Sequence, residues 1–214
     1  VFGISKSYAV LPDVVTSLEV TAGTSAVAGQ AFPVNVQVRD IFGNPGMASS
    51  VSDDFVFDDN AEEVSCEIAS VAADIAVVNC TLITATTSNF IEASVSLEPT
   101  DILPASSGSI EVVNGPVASV QITPIATTVV AGDLLQVTFL GLDIYGNTYV
   151  QQTDAVIDVA GTFGTASPNA VTLGASGQVM SEITFTQAGL ITLTASQDGL
   201  LLGESVVIEV VAAE

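Results

Sequence analysis

The sequence repeats itself along its length, and this repeat constrains the fold more than any other feature. Val-Ala-Gly-Gln at positions 27–30 recurs 103 positions later as Val-Ala-Gly-Asp at 130–133. Asp-Ile-Phe-Gly-Asn at 40–44 recurs at the same displacement as Asp-Ile-Tyr-Gly-Asn at 143–147. The chain is therefore predicted to contain two copies of one unit of roughly 97 residues. Asn-Gly-Pro at 114–116 is predicted to join them as a turn-forming linker too short for free swinging.

Within each copy, apolar residues alternate with polar ones at a period of two. Phe32, Val34, Val36 and Val38 show this pattern, which is typical of a half-buried strand and not of a helix. About seven short strands per copy, separated by Gly, Asn, Asp and Pro, are typical of a β-sandwich. The predicted strands are 17–20, 32–39, 54–57, 63–69, 76–83, 90–97 and 107–113, then 119–123, 134–142, 155–159, 170–173, 179–186, 190–195 and 205–211.

These motifs carry a family resemblance. The Ala-Gly motif, the alternating strand, the Asp-x-Phe/Tyr-Gly-Asn motif and Gln-Ala-Gly-Leu-Ile-Thr-Leu-Thr-Ala at 187–195 resemble bacterial immunoglobulin-like repeats of the invasin and intimin type, and also filamin-type repeats. The resemblance implies an all-β chain with two tandem immunoglobulin-like β-sandwiches of about seven strands each. We expect a leader strand at 1–16, a first domain at 17–114 and a second at 117–214. Because such modules serve many roles, the resemblance indicates fold better than function.

The charge of the chain excludes several functions. It carries 24 acidic residues, no histidine and only Lys6 and Arg39 as basic residues, for a net charge of −22. Two scattered cations cannot neutralise a nucleic-acid backbone or bind an anionic membrane surface. Without histidine there is no Ser-His-Asp or Cys-His relay. Paired carboxylates alone are weak support for glycoside hydrolysis, so we expect no enzyme activity.

The two cysteines predict a disulfide. Cys66 and Cys80 lie on two consecutive predicted strands, and a hairpin centred on Ala73 places them opposite each other. The bond would close a short loop and stabilise the fold by roughly 3 kcal/mol, and it indicates an oxidising, extracellular compartment. Two reduced buried thiols are the alternative. Asn79 with Thr81 forms an N-glycosylation pattern, and the same alternation turns both side chains outward.

The repeated aspartate motif is interpreted as a structural turn. Its aspartate is expected to accept backbone N–H bonds, its aromatic residue to close the end of the sandwich, and its Gly-Asn pair to supply a positive φ. The alternative is that Asp40 or Asp143 supplies an oxygen to an inter-domain calcium site. The turn residues are Asp40, Gly43, Asn44, Asp143, Gly146 and Asn147.

A run of acidic residues between positions 53 and 67 has two interpretations. Calcium prefers clusters of carboxylate oxygens, and it is the one cofactor that the sequence suggests. However, the EF-hand spacing is missing, and a solvated acidic edge is the simpler interpretation of the run. The candidate calcium ligands are Asp53, Asp54, Asp58, Asp59, Glu62 and Glu63, with Glu67 closing the run.

The leader at 1–16 is not explained by either repeat. It carries Phe2, Ile4, Tyr8, Val10 and Leu11, which alternate before Pro12 interrupts the pattern. It either packs as an extra strand on its own first sandwich or is lent to a neighbouring molecule as an added strand. We therefore expect self-association through the strand at 1–11 or through neighbouring immunoglobulin-like domains.

These observations favour an extracellular structural protein, which is a subunit or segment of a cell-surface filament, adhesin or surface layer. The alternative is a calcium-dependent module that binds carbohydrate or protein. The chain shows neither a signal-peptide pattern nor a membrane span, because Glu204 and Glu209 interrupt its most apolar stretch at 200–213.

Overall fold

The computed structural model describes Leu11 and residues 13–61, 63–95, 102–150, 155–162 and 165–214. The chain divides into two compact units between Val112 and Val113. Most of the predicted leader lies outside the described residues, and its last part belongs to the first strand, which begins at Val15. The predicted domain boundaries stay predictions. No helix in the described part of the chain is long and apolar enough to cross a membrane.

The first unit is built almost entirely from strands, as the period-two pattern predicts. Its two short 3₁₀ helices span Ala48–Ser50 and Ser52–Asp54. Its strands in the described residues are β1 (Val15–Ala22), β2 (Ser25–Val27), β3 (Phe32–Asp40), β4 (Phe55–Asp59), β5 (Ser65–Ala72), β6 (Ile75–Thr81), β7 (Thr86–Asn89), β8 (Ile91–Val95), β9 (Ile102–Ser106) and β10 (Ile110–Val113).

These strands form three sheets around one apolar interior. The largest sheet has the order β1-β3-β6-β5, and the two smaller ones have the orders β2-β10-β7 and β4-β8-β9. The alternating side chains Val34, Val36 and Val38 of β3 are completely buried, as is Cys80 of β6. The alternation therefore places one face of the large sheet in the core and the other in solvent.

The second unit repeats this plan with one difference. Its strands in the described residues are β11 (Ser119–Pro124), β12 (Thr128–Val130), β13 (Leu134–Leu142), β14 (Ala155–Gly161), β15 (Ala166–Ser167), β16 (Ala170–Leu173), β17 (Gln178–Phe185), β18 (Gly189–Ile191), β19 (Leu193–Gln197), β20 (Leu200–Glu204) and β21 (Ile208–Val211). The sheets have the orders β11-β13-β17-β15, β12-β21-β18 and β16-β14-β19-β20. The strand β16, which pairs with β14, has no counterpart beside β4 in the described part of the first unit.

Each unit has more strands in the described residues than predicted. In the second unit the predicted strand 190–195 divides into β18, which pairs with β21, and β19, which pairs with β14. In the first unit the corresponding break separates β7, which pairs with β10 and lies outside the predicted strand 90–97, from β8, which pairs with β9. A serine hydroxyl lies at the break between β7 and β8, and another lies at the break between β18 and β19. The N–H of Ile91 donates to Oγ of Ser107 at 3.0 Å, and the N–H of Leu193 donates to Oγ of Ser205 at 3.0 Å. The hydroxyl satisfies a backbone donor where the strand ladder is interrupted.

Cys66 and Cys80 form a disulfide in the structure. Next to the hairpin turn, Ala72 pairs with Ile75, and continuing this register would bring Glu67 opposite Cys80. A register shift between Ile68 and Ser70 changes the pairing by one residue and brings Cys66 opposite Cys80. The bulge is therefore what sets the two sulfur atoms on the same face of the β5–β6 hairpin.

We predict that Gly203→Ala destabilises the second unit. An added Cβ at this position would lie 1.9 Å from the carbonyl oxygen of Val120. Because backbone must move to admit it, we expect a loss of roughly 2 kcal/mol, seen as a fall of the melting temperature in calorimetry. Gly174→Ala is the matched control, since an added Cβ there meets no atom within 4 Å. Equal melting temperatures for the two variants would contradict the close approach of β20 to β11.

Candidate functional site

The repeated aspartate motif is the most elaborate polar arrangement of the first unit. Asp40 ends β3 and is buried. Its Oδ1 accepts the N–H groups of Phe42 and Asn44, both at 2.9 Å. Its Oδ2 accepts from Nδ2 of Asn44 at 3.0 Å and from the N–H of Asp13 at 3.2 Å. The carboxylate thereby joins the turn after β3 to the segment that leads into β1.

The second unit reproduces this arrangement atom for atom. Oδ1 of Asp143 accepts the N–H groups of Tyr145 and Asn147, both at 2.9 Å. Its Oδ2 accepts from Nδ2 of Asn147 at 2.8 Å and from the N–H of Gly115 at 2.9 Å. Gly115 precedes β11 as Asp13 precedes β1, so the predicted linker residues are bonded into the second unit. Val150 donates its N–H to Oδ1 of Asn114 at 2.8 Å, which adds a second such bond.

Two details of the turn differ from the prediction. The aromatic residues do not close the sandwich, because Phe42 is 78% exposed and Tyr145 is 46% exposed. The positive φ comes from the glycines alone, at 79° for Gly43 and 85° for Gly146. The buried carboxylate accepts the N–H groups of the turn, and the aromatic side chain points into solvent.

The hydrogen bonds of the motif lower the pKa of both aspartates. For Asp40 the side-chain bond from Asn44 has the largest effect, burial opposes it, and the backbone donors lower the pKa further. For Asp143 burial raises the pKa, but the bonds from Asn147, Gly115 and Tyr145 together outweigh it. Both carboxylates are therefore held in their charged form, which suits a structural acceptor and not a proton donor.

The candidate calcium ligands lie on different elements of the first unit. Asp53 and Asp54 belong to a 3₁₀ helix, whereas Asp58 and Asp59 end β4. In the described part of the chain, no group of three or more His, Cys, Asp or Glu side chains is placed to hold a metal ion. Glu62 lies outside the described residues. The calcium site stays a prediction.

One acid of this run has a structural role that the sequence did not reveal. Asp59 is buried, and its Oδ1 accepts the N–H of Glu63 at 2.8 Å. Its Oδ2 accepts from Nδ2 of the buried Asn89 at 3.2 Å. Glu63 in turn accepts a hydrogen bond from the hydroxyl of Thr84. Asp59 therefore ties β4 to the end of β7, a contact between residues 30 apart that local spacing cannot show.

The remaining surface features are simpler. The side chain of Asn79 is exposed and that of Thr81 is half-buried on β6, and glycosylation stays a prediction. A shallow groove of about 390 Å³ lies beside the start of β1, and its described lining is mostly apolar. It is lined by Leu11, Asp13, Val14, Val15, Met47, Ser50 and Val51.

Comparison with known proteins bears on the fold. No protein-family model matches the chain, and no curated protein matches it. Among solved structures, the Escherichia coli adhesin FdeC has 16% sequence identity and a TM-score of 0.53, covering 96% of this chain and 67% of that one. The D00–D0 segment of intimin has 13% identity and a TM-score of 0.46, covering 91% and 99%. Invasin, a bacterial integrin-binding protein, has 15% identity and a TM-score of 0.44, covering 92% and 40%.

The predicted fold is therefore confirmed. The chain is an all-β protein with two tandem immunoglobulin-like β-sandwiches. The likeness to FdeC, at 16% identity, bears on the fold alone.

We predict that Asp143→Asn destabilises the second unit most at neutral pH. An amide keeps one acceptor oxygen but presents its own N–H groups to the two donors that the other carboxylate oxygen accepts, so the melting temperature should fall by more than about 5 °C, or roughly 1 kcal/mol. The lowered pKa stabilises the fold above the unfolded value of about 3.9, and this contribution is lost as the pH falls through the folded value. The difference between wild type and variant should therefore shrink below about pH 4.

Asp158→Asn provides the control for this measurement, because Asp158 is an exposed aspartate on β14 of the same unit. Calorimetry between pH 2 and pH 7 compares the three proteins. A difference between Asp143→Asn and wild type that does not change with pH would show that the charge of Asp143 is not what the turn requires.

We also predict that calcium stabilises the first unit no more than sodium chloride of equal ionic strength. The described acidic residues do not converge as three ligands, so added salt should act by screening a surface of net charge −22. Melting temperatures in the two salts at matched ionic strength test this. A clear excess in millimolar calcium would establish the calcium site by mass action.

Proposed function

We propose that this chain is an extracellular structural protein, forming a subunit or a segment of a cell-surface filament, adhesin or surface layer. The observation that carries the proposal is that the buried polar side chains of the described residues hydrogen-bond within the fold itself. In the described part of the chain, no buried side-chain nitrogen or oxygen atom lacks a hydrogen-bond partner. A catalytic or ligand-binding site usually keeps buried polar groups directed at its ligand.

The composition supports the same conclusion. With no histidine, and with the two cysteines joined in a disulfide, the chain lacks the side chains that most nucleophilic and acid-base enzymes use. Asp40 and Asp143, two buried carboxylates whose pKa is lowered, accept backbone N–H groups. We infer that the protein is not an enzyme.

The extracellular location is supported by the disulfide and by the fold. Disulfides persist in oxidising compartments. FdeC, which shares the fold over nearly the whole length of this chain, is an adhesin. The high acidic charge keeps such a surface protein soluble and leaves it unsuited to nucleic-acid binding.

Self-association is part of this proposal. A filament or surface layer requires contacts between copies, and the candidates are the N-terminal strand at 1–11 and the surfaces of the immunoglobulin-like domains. Exposed apolar side chains on both units, such as Val56, Val156 and Leu201, are available for contacts of this kind.

Immunogold electron microscopy of intact source cells tests the proposed location and role. Antibodies raised against the purified chain should label the outer surface or structures that extend from it, without permeabilisation. A pre-immune serum and permeabilised cells provide the controls. Labelling that appears only after permeabilisation would contradict the proposal.

A further inference from the structure

The last strand of each unit, which we call its closing strand, has the same pattern in both units. β10 lies between β2 and β7 in the first unit, and β21 lies between β12 and β18 in the second. Each has an isoleucine followed two positions later by a valine, and these four side chains are buried: Ile110, Val112, Ile208 and Val210. The glutamate between them donates its N–H to a threonine carbonyl, at 2.9 Å in the first unit and 2.8 Å in the second. One face of the closing strand therefore belongs to the core of its unit.

A serine lies three positions before each of these isoleucines. Oγ of Ser107 accepts the N–H of Ile91, and Oγ of Ser205 accepts the N–H of Leu193. The complete pattern is thus Ser-x-x-Ile-x-Val-Val, at 107–113 and at 205–211. The serine satisfies the strand break, and the isoleucine and the first valine fill the core, so each repeated position has a physical role.

The same pattern occurs a third time, before the first unit. Positions 5–11 have the sequence Ser-Lys-Ser-Tyr-Ala-Val-Leu. Ser5, Tyr8 and Val10 therefore take the places of the serine, the isoleucine and the first valine. Tyrosine, like isoleucine, favours strands and can bury a large apolar surface. The later part of the predicted leader, which neither repeat explains as a separate element, is thus a third copy of the closing strand.

The described residues that follow this segment support the alignment. Asp13 lies two positions after segment 5–11, and Gly115 lies two positions after β10. Both donate their N–H to Oδ2 of an aspartate that forms a turn, Asp13 to Asp40 at 3.2 Å and Gly115 to Asp143 at 2.9 Å. Segment 5–11 therefore precedes the first unit as β10 precedes the second.

A closing strand belongs to the unit before it in the chain and not to the unit that follows. β10 pairs with β7 and adjoins β2, which are strands of the first unit, although it leads directly into the second. By the same arrangement, segment 5–11 leads into the first unit but belongs to a unit that lies before it.

The described residues leave this segment no closing position within the chain. β10 already occupies that position in the first unit, and β21 occupies it in the second. A second copy of the chain has the same two strands in place, so neither of its units offers the position either. The unit that segment 5–11 closes is therefore a further one.

We propose that segment 5–11 is the closing strand of a further immunoglobulin-like unit that precedes the first unit in the natural polypeptide. The proposal rests on the proposed structural function and favours a segment of a longer tandem array over a complete subunit. Tyr8 and Val10 fill the core of the preceding unit, and Ser5 accepts a backbone N–H at its strand break. Contacts between molecules are then made by the surfaces of the immunoglobulin-like domains.

Mass spectrometry of the natural protein tests the proposal. The protein is isolated from source cells with antibodies against the purified chain, and its intact mass and N-terminal peptides are measured. We expect sequence before Val1 that completes one unit, with an Asp-x-Phe/Tyr-Gly-Asn motif about 100 residues before Asp40. A natural chain that begins at Val1, or one whose preceding sequence has no such motif, would overturn the proposal.

A pair of substitutions tests the same strand by its effect on stability. Ile110→Ala should lower the melting temperature of the first unit by more than about 10 °C, because it empties a fully buried position of a closing strand. Tyr8→Ala should leave both melting temperatures unchanged in the 214-residue chain, because the unit that Tyr8 closes is not part of it. In the chain extended by the preceding unit, Tyr8→Ala should lower the melting temperature of that unit by a similar amount.

Two results in the 214-residue chain would also count against the preceding unit. A fall of the first unit's melting temperature in Tyr8→Ala would assign the segment to its own sandwich. Assemblies in light scattering that Tyr8→Ala abolishes would assign it to a second copy. Either result leaves surface labelling by immunogold unchanged, so failure of this inference is distinguishable from failure of the proposed structural function.

Discussion

The buried carboxylate that ends β3 and β13 is the interaction on which the rest of each unit depends. A turn of five residues exposes several backbone N–H groups at the end of a core strand, and burying them unpaired would be costly. Asp40 and Asp143 accept these groups and one more from the segment that precedes the first strand of the unit. One side chain thus sets the shape of the turn and the position of the incoming chain. Its charge makes these hydrogen bonds strong, and they in turn keep it charged.

Within this common plan, the described residues of the two units differ most clearly in one segment. Both units keep the central strands, the aspartate turn and the serine at the strand break. The described segment after β4 or β14 is where they differ: in the first unit it forms β5 of the large sheet, and its Cys66 is bonded to Cys80 of β6. In the second unit the same segment supplies a short strand to the opposite sheet. A change in one hairpin therefore alters which sheet edge is covered while leaving the rest of the sandwich unchanged.

Much of this architecture could be predicted from the sequence. The repeat defines the two units, and the alternation of apolar and polar residues indicates which face of a strand is buried. The long strands β3 and β13 have almost the predicted bounds. Cys66 and Cys80 lie opposite each other as predicted, but the hairpin reaches this register through a bulge between Ile68 and Ser70 that counting residues did not include. The strand breaks could not be predicted, since Ser107 and Ser205 resemble ordinary strand-edge residues until their hydroxyls are placed. The backbone hydrogen bonds to the second carboxylate oxygen of each aspartate could not be predicted either. Asp13 donates to Asp40 from 27 residues away in the sequence, and Gly115 donates to Asp143 from 28 residues away. The aromatic position was misjudged because an apolar residue in a turn was expected to be buried, whereas Phe42 is exposed.

The charge of the chain bears on the edge of β4 that has no strand partner among the described residues. Soluble proteins commonly protect sheet edges with lysine, bulges or short strands, but this chain has a single lysine in 214 residues. Asp53, Asp54 and the exposed Asp58 lie at this edge, and like charges disfavour direct pairing between the edges of two copies. The acidic residues therefore have, at this edge, the protective role that lysine has in other soluble proteins.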